Sequence, residues 1–121
     1  HEKAIKKNID EIVESNKYFL NKDLSLNSLA SLLGTNRQYL SSYIKNVKHS
    51  TFYDYVNEFR LSSVLDKLNA TEDLQQVDWE EIIGSCGFNS YSTFLRVFKK
   101  HFKMLPSKYV KELQKNKSAD N

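Results

Sequence analysis

Two stretches of this chain match each other at a nearly constant offset. "LASLLGTNRQYLSSYIK" (residues 29–45) and "IIGSCGFNSYSTFLRVFK" (residues 82–99) each read as helix, glycine, short turn, helix. Leu29 and Ile82 are 53 apart, as are Gly34 and Gly87. Past the glycines the offset becomes 54, in Leu40 and Phe94, Ile44 and Phe98, Lys45 and Lys99, and Tyr55 and Tyr109. The slip puts one extra residue into the second turn. A duplicated helix-turn-helix explains both the match and the slip. Only 3 Gly and 1 Pro occur in 121 residues, so the backbone has few breakers and is expected to be helical throughout.

Apolar residues recur at helical spacing in seven segments. The first uses Ile5, Ile9, Ile12, Val13, Asn16 and Phe19 or Leu20. Ser25 is placed to cap a second, with Leu26, Leu29, Ala30 and Leu33 on one face and Gly34 as its stop. Asn36 caps a third, which turns Leu40, Tyr43, Ile44 and Val47 inward. The stretch "TFYDYVNEFRLSSVLDKL" makes a long fourth, with Phe52, Tyr55, Val56 and Phe59 inward. Asp78 and Glu81 read as a capping box for a fifth that carries Ile82 and Ile83 and stops at Gly87. Ser90 caps a sixth, with Phe94, Val97 and Phe98 inward, and Pro106 opens a seventh through Tyr109, Val110 and Leu113. The expected organisation is residues 1–50 as a first unit, 51–70 as a linker helix, 71–116 as a second unit and 117–121 as a disordered tail.

Net charge is only +3, but its distribution is uneven. Residues 1–50 carry 8 Lys/Arg against 5 acids, residues 51–86 carry 2 against 8, and residues 87–117 carry 8 against 1. Two basic blocks flank an acidic one, a footprint of polyanion binding. Solvated helix faces would leave the same tally, so the placement of the charges has to decide.

At ~100° per residue, an inward Leu40, Tyr43 and Ile44 put Gln38, Ser41, Ser42 and Lys45 on the far side of the third helix. In the sixth, Ser92, Arg96 and Lys99 face out, with Tyr91 and Leu95 on the flanks. Arg suits guanine, Gln adenine, Leu a thymine methyl group and Lys a phosphate. One helix with a polar outer face means little. Two, each second in a helix-turn-helix, point to duplex DNA.

"SLNSLASLLGTNRQYLSSYIK", "YVNEFRL" and "CGFNSYSTFLRVFKKHFKMLPSKYV" resemble the DNA-binding domain of AraC/XylS-type bacterial transcription regulators over about residues 5–113. The order Gly87-Phe88, Phe94, Phe98-Lys99-Lys100, Phe102, Pro106-Ser107 and Tyr109 is its most diagnostic part. The resemblance implies an all-α fold of seven helices: two helix-turn-helix subdomains joined by a long linker helix. It implies recognition helices near residues 36–47 and 90–102 in adjacent major grooves. Arg37, Gln38, Ser41, Ser42 and Lys45 would form the first reading surface. Asn89, Tyr91, Ser92, Leu95, Arg96 and Lys99 would form the second, with Lys100 as a further cationic contact. His49 and Lys103 stand where the family usually has glycine, so both turns are expected to be strained or rearranged. Ile44 replaces a usual phenylalanine. The "NATEDLQQVDW" connection resembles the Bacteroidetes subset, where this domain often ends a longer regulator, including membrane-spanning hybrid sensor kinases.

Other function classes have less behind them. A DNA-repair methyltransferase family carries a similar helical module with reactive cysteines, but the single Cys86 falls on a core-facing position. A lone cysteine also excludes an internal disulfide and fits a reducing cytosol. His1, His49 and His101 lack metal-ligand spacing, and His101 is expected at the surface. Tyr39, Tyr43, Tyr53 and Tyr55 are expected as core or rim aromatics, not base-stacking platforms. No enzyme activity, metal or cofactor is expected, and no apolar run approaches the ~20 residues that cross a bilayer. The chain opens on His1 with no signal-peptide pattern, as a piece of a longer cytoplasmic protein would. Expected partners are double-stranded DNA, RNA polymerase and an upstream sensor or dimerisation domain. The competing class is a helical protein-interaction module that uses the fold without DNA.

Overall fold

Short polar side chains set the starts of the helices. The structure, a computed structural model, describes residues 2–119 and the side chains of residues 9–118. Its helices are α1 (Glu2–Asn16), α2 (Leu26–Leu32), α3 (Arg37–Asn46), α4 (Phe52–Ala70), α5 (Trp79–Ser85), α6 (Tyr91–Phe102) and α7 (Pro106–Ala119). One-turn 3-10 segments cover Tyr18–Leu20 and Leu74–Gln76, and no strand occurs among the described residues. Ser25 and Ser28 form a reciprocal capping box at α2, each hydroxyl accepting the other's backbone N–H at 3.0 and 2.9 Å. Asn36 accepts from Tyr39 N at 2.8 Å at α3, and Ser90 from Thr93 N at 3.2 Å at α6. Asp78 accepts from Glu81 N at 3.1 Å, the forward half of the expected box. Each such cap contributes about 1 kcal/mol.

The two glycines end α2 and α5 in the same way. Gly34 (φ +72°) and Gly87 (φ +95°) are left-handed. At the first, Gly34 N donates to Ser31 O (3.1 Å) and Thr35 N to Ala30 O (2.9 Å). At the second, Gly87 N donates to Gly84 O (3.2 Å) and Phe88 N to Ile83 O (3.2 Å). These are two Schellman motifs, so the duplication extends to the hydrogen bonds. A Cβ at Gly34 would meet nothing within 4 Å, so glycine is needed there for its backbone angle, not for room. Thr35 and Phe88 are thus equivalent, and the extra residue of the second turn is Asn89, which separates Phe88 from the Ser90 cap, whereas Asn36 follows Thr35 directly.

Two compact units result, residues 1–59 and 60–121. The first buries Ile9 and Val13 of α1, Leu29 and Ala30 of α2, Leu40, Tyr43 and Ile44 of α3, and Tyr55 and Val56 of α4. The second buries Leu61, Val64 and Leu68 of α4 with Ile83, Cys86, Phe88, Phe94 and Phe98. The division falls inside α4, not at its ends as the sequence segments place it. Phe52, Tyr55, Val56 and Phe59 pack in the first core, whereas Leu61, Val64 and Leu68 pack in the second. At ~100° per residue these two sets fall on different faces, so α4 has no single apolar stripe.

Three further expectations are corrected. Val47 is 45% exposed, because α3 ends at Asn46 and Val47 is its cap, where the chain leaves the core. Tyr53 is 70% exposed, neither core nor rim. The tail expected from residue 117 is helical to Ala119. The Lys117 ammonium donates to Asn69 O (3.0 Å) and Thr71 O (2.7 Å), covering the open carbonyls at the end of α4 and anchoring α7 there. The expected core role of Ile5 and the last two tail positions lie outside the described side chains.

Candidate nucleic-acid interface

In the first unit, α3 presents Arg37, Gln38, Ser41, Ser42 and Lys45 to solvent, opposite buried Leu40, Tyr43 and Ile44. The five expected side chains lie together, lining an open polar hollow with Asn46 as its sixth wall. Asn46 was not singled out from the sequence. Its Nδ2 donates to Ser42 Oγ at 3.0 Å, so it orients one of the two short hydroxyls on that exposed side. The signal was present, since Asn46 follows Ser42 by four residues and shares its face.

In the second unit, α6 is divided lengthwise. Phe94, Phe98 and Phe102 form an inner spine at four-residue spacing, with neighbouring ring centroids 5.6 and 4.6 Å apart. Trp79 and Tyr109 close on it, the former 5.8 Å from Phe94 and the latter 5.4 Å from Phe98. Full burial of such a ring contributes roughly 1.5–3 kcal/mol, so this spine is what holds α6 in the second unit. Its outer side carries exposed Ser92, Arg96, Lys99 and Lys100. Tyr91 is 51% exposed but leans on Phe94 at 5.9 Å, and Leu95 is half-buried, as flank positions should be. Asn89 is exposed in the turn ahead of the Ser90 cap rather than on the helix. Lys99, Lys100 and His101 occupy the last turn of α6, as Lys45 does in α3. Cations there also suit the helix dipole, so the lysines alone do not specify DNA. Arg96, in the middle of α6, has no such second explanation.

Both turns after α3 and α6 are left-handed at a residue with a side chain: His49 (φ +53°) and Lys103 (φ +59°). The strain expected from the missing glycines is therefore present. Lys103 N still donates to Lys99 O at 2.9 Å, which ends α6 as a glycine would.

One feature of the first unit escaped the sequence reading. Asp10 of α1 accepts from Tyr55 OH of α4 through Oδ1, and from Lys48 Nζ, just past α3, through Oδ2 at 2.7 Å. The Tyr43 hydroxyl of α3 lies near the same carboxylate; burial first, then Asp10, pushes its pKa up. Tyr55 is pushed up for the same reasons. Partners 38 and 45 residues away leave no local pattern to find.

A family profile for the helix-turn-helix domain matches residues 29–112, from within α2 to the middle of α7. The probable transcription factor PqrA of Proteus vulgaris is 33% identical over 91 residues, covering 74% of this chain and 70% of that protein. The chain belongs to the AraC/XylS family. Among solved structures, the C-terminal domain of AraT, a response regulator from Geobacillus stearothermophilus, superposes with a TM-score of 0.72 at 26% identity. That match covers 89% of this chain and 84% of the AraT domain. The C-terminal domain of the two-component response regulator yesN from Fusobacterium nucleatum gives 0.67 at 25% identity, over 85% and 98%. The all-helical AraC/XylS architecture expected from the sequence is the one observed. No helix among the described residues is long and apolar enough to cross a membrane.

Proposed function

We propose that α3 and α6 are the two reading helices of this chain, addressing successive major-groove segments of one duplex. Sequence-specific DNA binding for transcription regulation is the function of the AraC/XylS domain, and so of this chain. What is proposed is the assignment of residues. Arg37, Gln38, Ser41, Ser42 and Lys45 contact the first segment, with Asn46 behind Ser42. Asn89, Tyr91, Ser92, Leu95, Arg96, Lys99 and Lys100 contact the second. The observation that carries the assignment is the lengthwise division of α6. An arginine, a serine and two lysines stand opposite a phenylalanine spine, on the second helix of a capped helix-turn-helix.

The test is duplex affinity over a salt series. Counterion release makes log affinity fall linearly with log salt, with a slope near −0.9 per neutralised phosphate. Lys45, Lys99 and Lys100, as phosphate contacts, should bring that slope to roughly −3. A flat plot would favour the protein-interaction module instead. The matches to C-terminal domains of response regulators support an output role behind an upstream sensor domain, in the cytoplasm. The acidic middle of the chain, Glu72 to Glu81, would stay off DNA and is the surface left for RNA polymerase.

A further inference from the structure

We propose that Asp10 is a positioning residue for the first reading helix, setting the register of α3 on DNA. The proposal rests on α3 being a reading helix. Three segments of the first unit meet at this one carboxylate: α1, which carries it, the turn after α3 through Lys48, and α4 through Tyr55. Tyr43 is 8% exposed and lies on the inner side of α3, between Ser42 and Ile44. Just past the end of α3, the 2.7 Å pair of Lys48 with Asp10 is a polar stop on an otherwise apolar contact. Hydrophobic packing is non-directional and tolerates a helix that slides or rolls by a fraction of a turn, whereas a hydrogen bond fixes distance and angle. A small roll of α3 would carry Gln38, Ser41 and Ser42 off their bases together, since all three project from the opposite side. The Lys48 pair adds a second effect. Lys48 sits three residues after Lys45 and beside the left-handed His49, at the phosphate-facing end of α3, and its ammonium is committed to Asp10. That pairing withholds a sequence-blind cation from the duplex.

The test uses the full chain, a duplex selected from random sequence, every single-base substitution of it, and a random duplex. Each variant is measured below its own melting transition. Asp10→Asn should weaken the selected duplex roughly tenfold, the equivalent of one misread base pair. The lost discrimination should fall on the base pairs that Gln38→Ala also relaxes, and base pairs relaxed by Arg96→Ala should keep theirs. The random duplex should bind as well as before or better, because Lys48 is released. Tyr55→Phe removes one hydroxyl but keeps the ring edge-on to Phe59, 5.2 Å away, and should give the same pattern at smaller amplitude. If Asp10→Asn does not fold, the Tyr55→Phe pattern decides. Equal loss at the base pairs of both helices, or unaltered preference throughout, would overturn the role of Asp10 while leaving the DNA reading intact. A wild-type chain with no base preference would overturn both.

Discussion

Arg96 and Lys99 stand three residues apart on the same exposed side of α6, yet their chemistry assigns them different work. A planar guanidinium can bond both major-groove acceptors of guanine together, which an ammonium matches poorly. Arg96→Ala should cost about 1–3 kcal/mol on the selected site and relax preference at one base pair. Lys99→Ala should weaken selected and random duplexes by similar factors, because a phosphate contact carries no base information. Titrating both variants against the selected site and its substitutions checks this, and a uniform loss from Arg96→Ala would make that residue a phosphate clamp. Lys103 offers a second test. Its left-handed backbone (φ +59°) costs a residue with a Cβ about 1 kcal/mol, which glycine avoids at the expense of a looser unfolded chain. Lys103→Gly should raise the urea midpoint slightly, by the equivalent of about 0.5–1 kcal/mol, while Lys103→Val should lower it.

Among the elements, α6 and α3 are held by different forces. Helix α6 depends on aromatic packing, with Phe94 fully buried among Trp79, Phe88, Tyr91 and Phe98. Phe94→Ala should cost about 3–5 kcal/mol and melt the second unit at the lower temperature, which calorimetry would resolve. α3 depends in addition on the polar tie at Asp10, and that tie is sensitive to alkali. Burial first, and Asp10 after it, raise the Tyr43 and Tyr55 hydroxyls above their ordinary 10.0. The hydrogen bond to Asp10 raises Lys48 above 10.5, with Glu58 also facing it. All three groups hold their protons to higher pH folded than unfolded. Their contribution is fully present below pH 10 and is lost as pH climbs through the raised values. Urea midpoints should therefore be level from pH 7 to about 10 and fall beyond it, and the fall should be shallower in Asp10→Asn. A midpoint that rises above pH 10 would contradict the sign.

For the whole molecule, one chain carries both reading helices, so one copy should suffice for a complete site. Footprints should lie on one face of the duplex, with two protected segments about one turn, ~34 Å, apart and no palindrome between them. Mixing two chain lengths would show one shifted band for each and no intermediate species. A requirement for two copies on a short palindrome would contradict the assignment of both helices to reading.

Seven helices, their caps at Ser25, Asn36, Asp78 and Ser90, the two glycine stops and the outward faces of α3 and α6 were all legible in the chain. Each is a local property: a cap reaches three residues, a helical face repeats every three or four, and a left-handed turn needs one glycine. Duplication made the local signals mutually consistent. What the sequence left undecided joins residues far apart along it. Asp10 meets partners 38 and 45 positions away, and Lys117 covers carbonyls 46 to 49 positions back. The helical end of α7 and the division of the chain within α4 likewise depend on which core each side chain reaches. Non-local polar contacts have no period, because they form only after packing brings their elements together. Tertiary structure alone therefore decided what holds α3 in place, while the chain itself spelled out what α3 and α6 hold out to a partner.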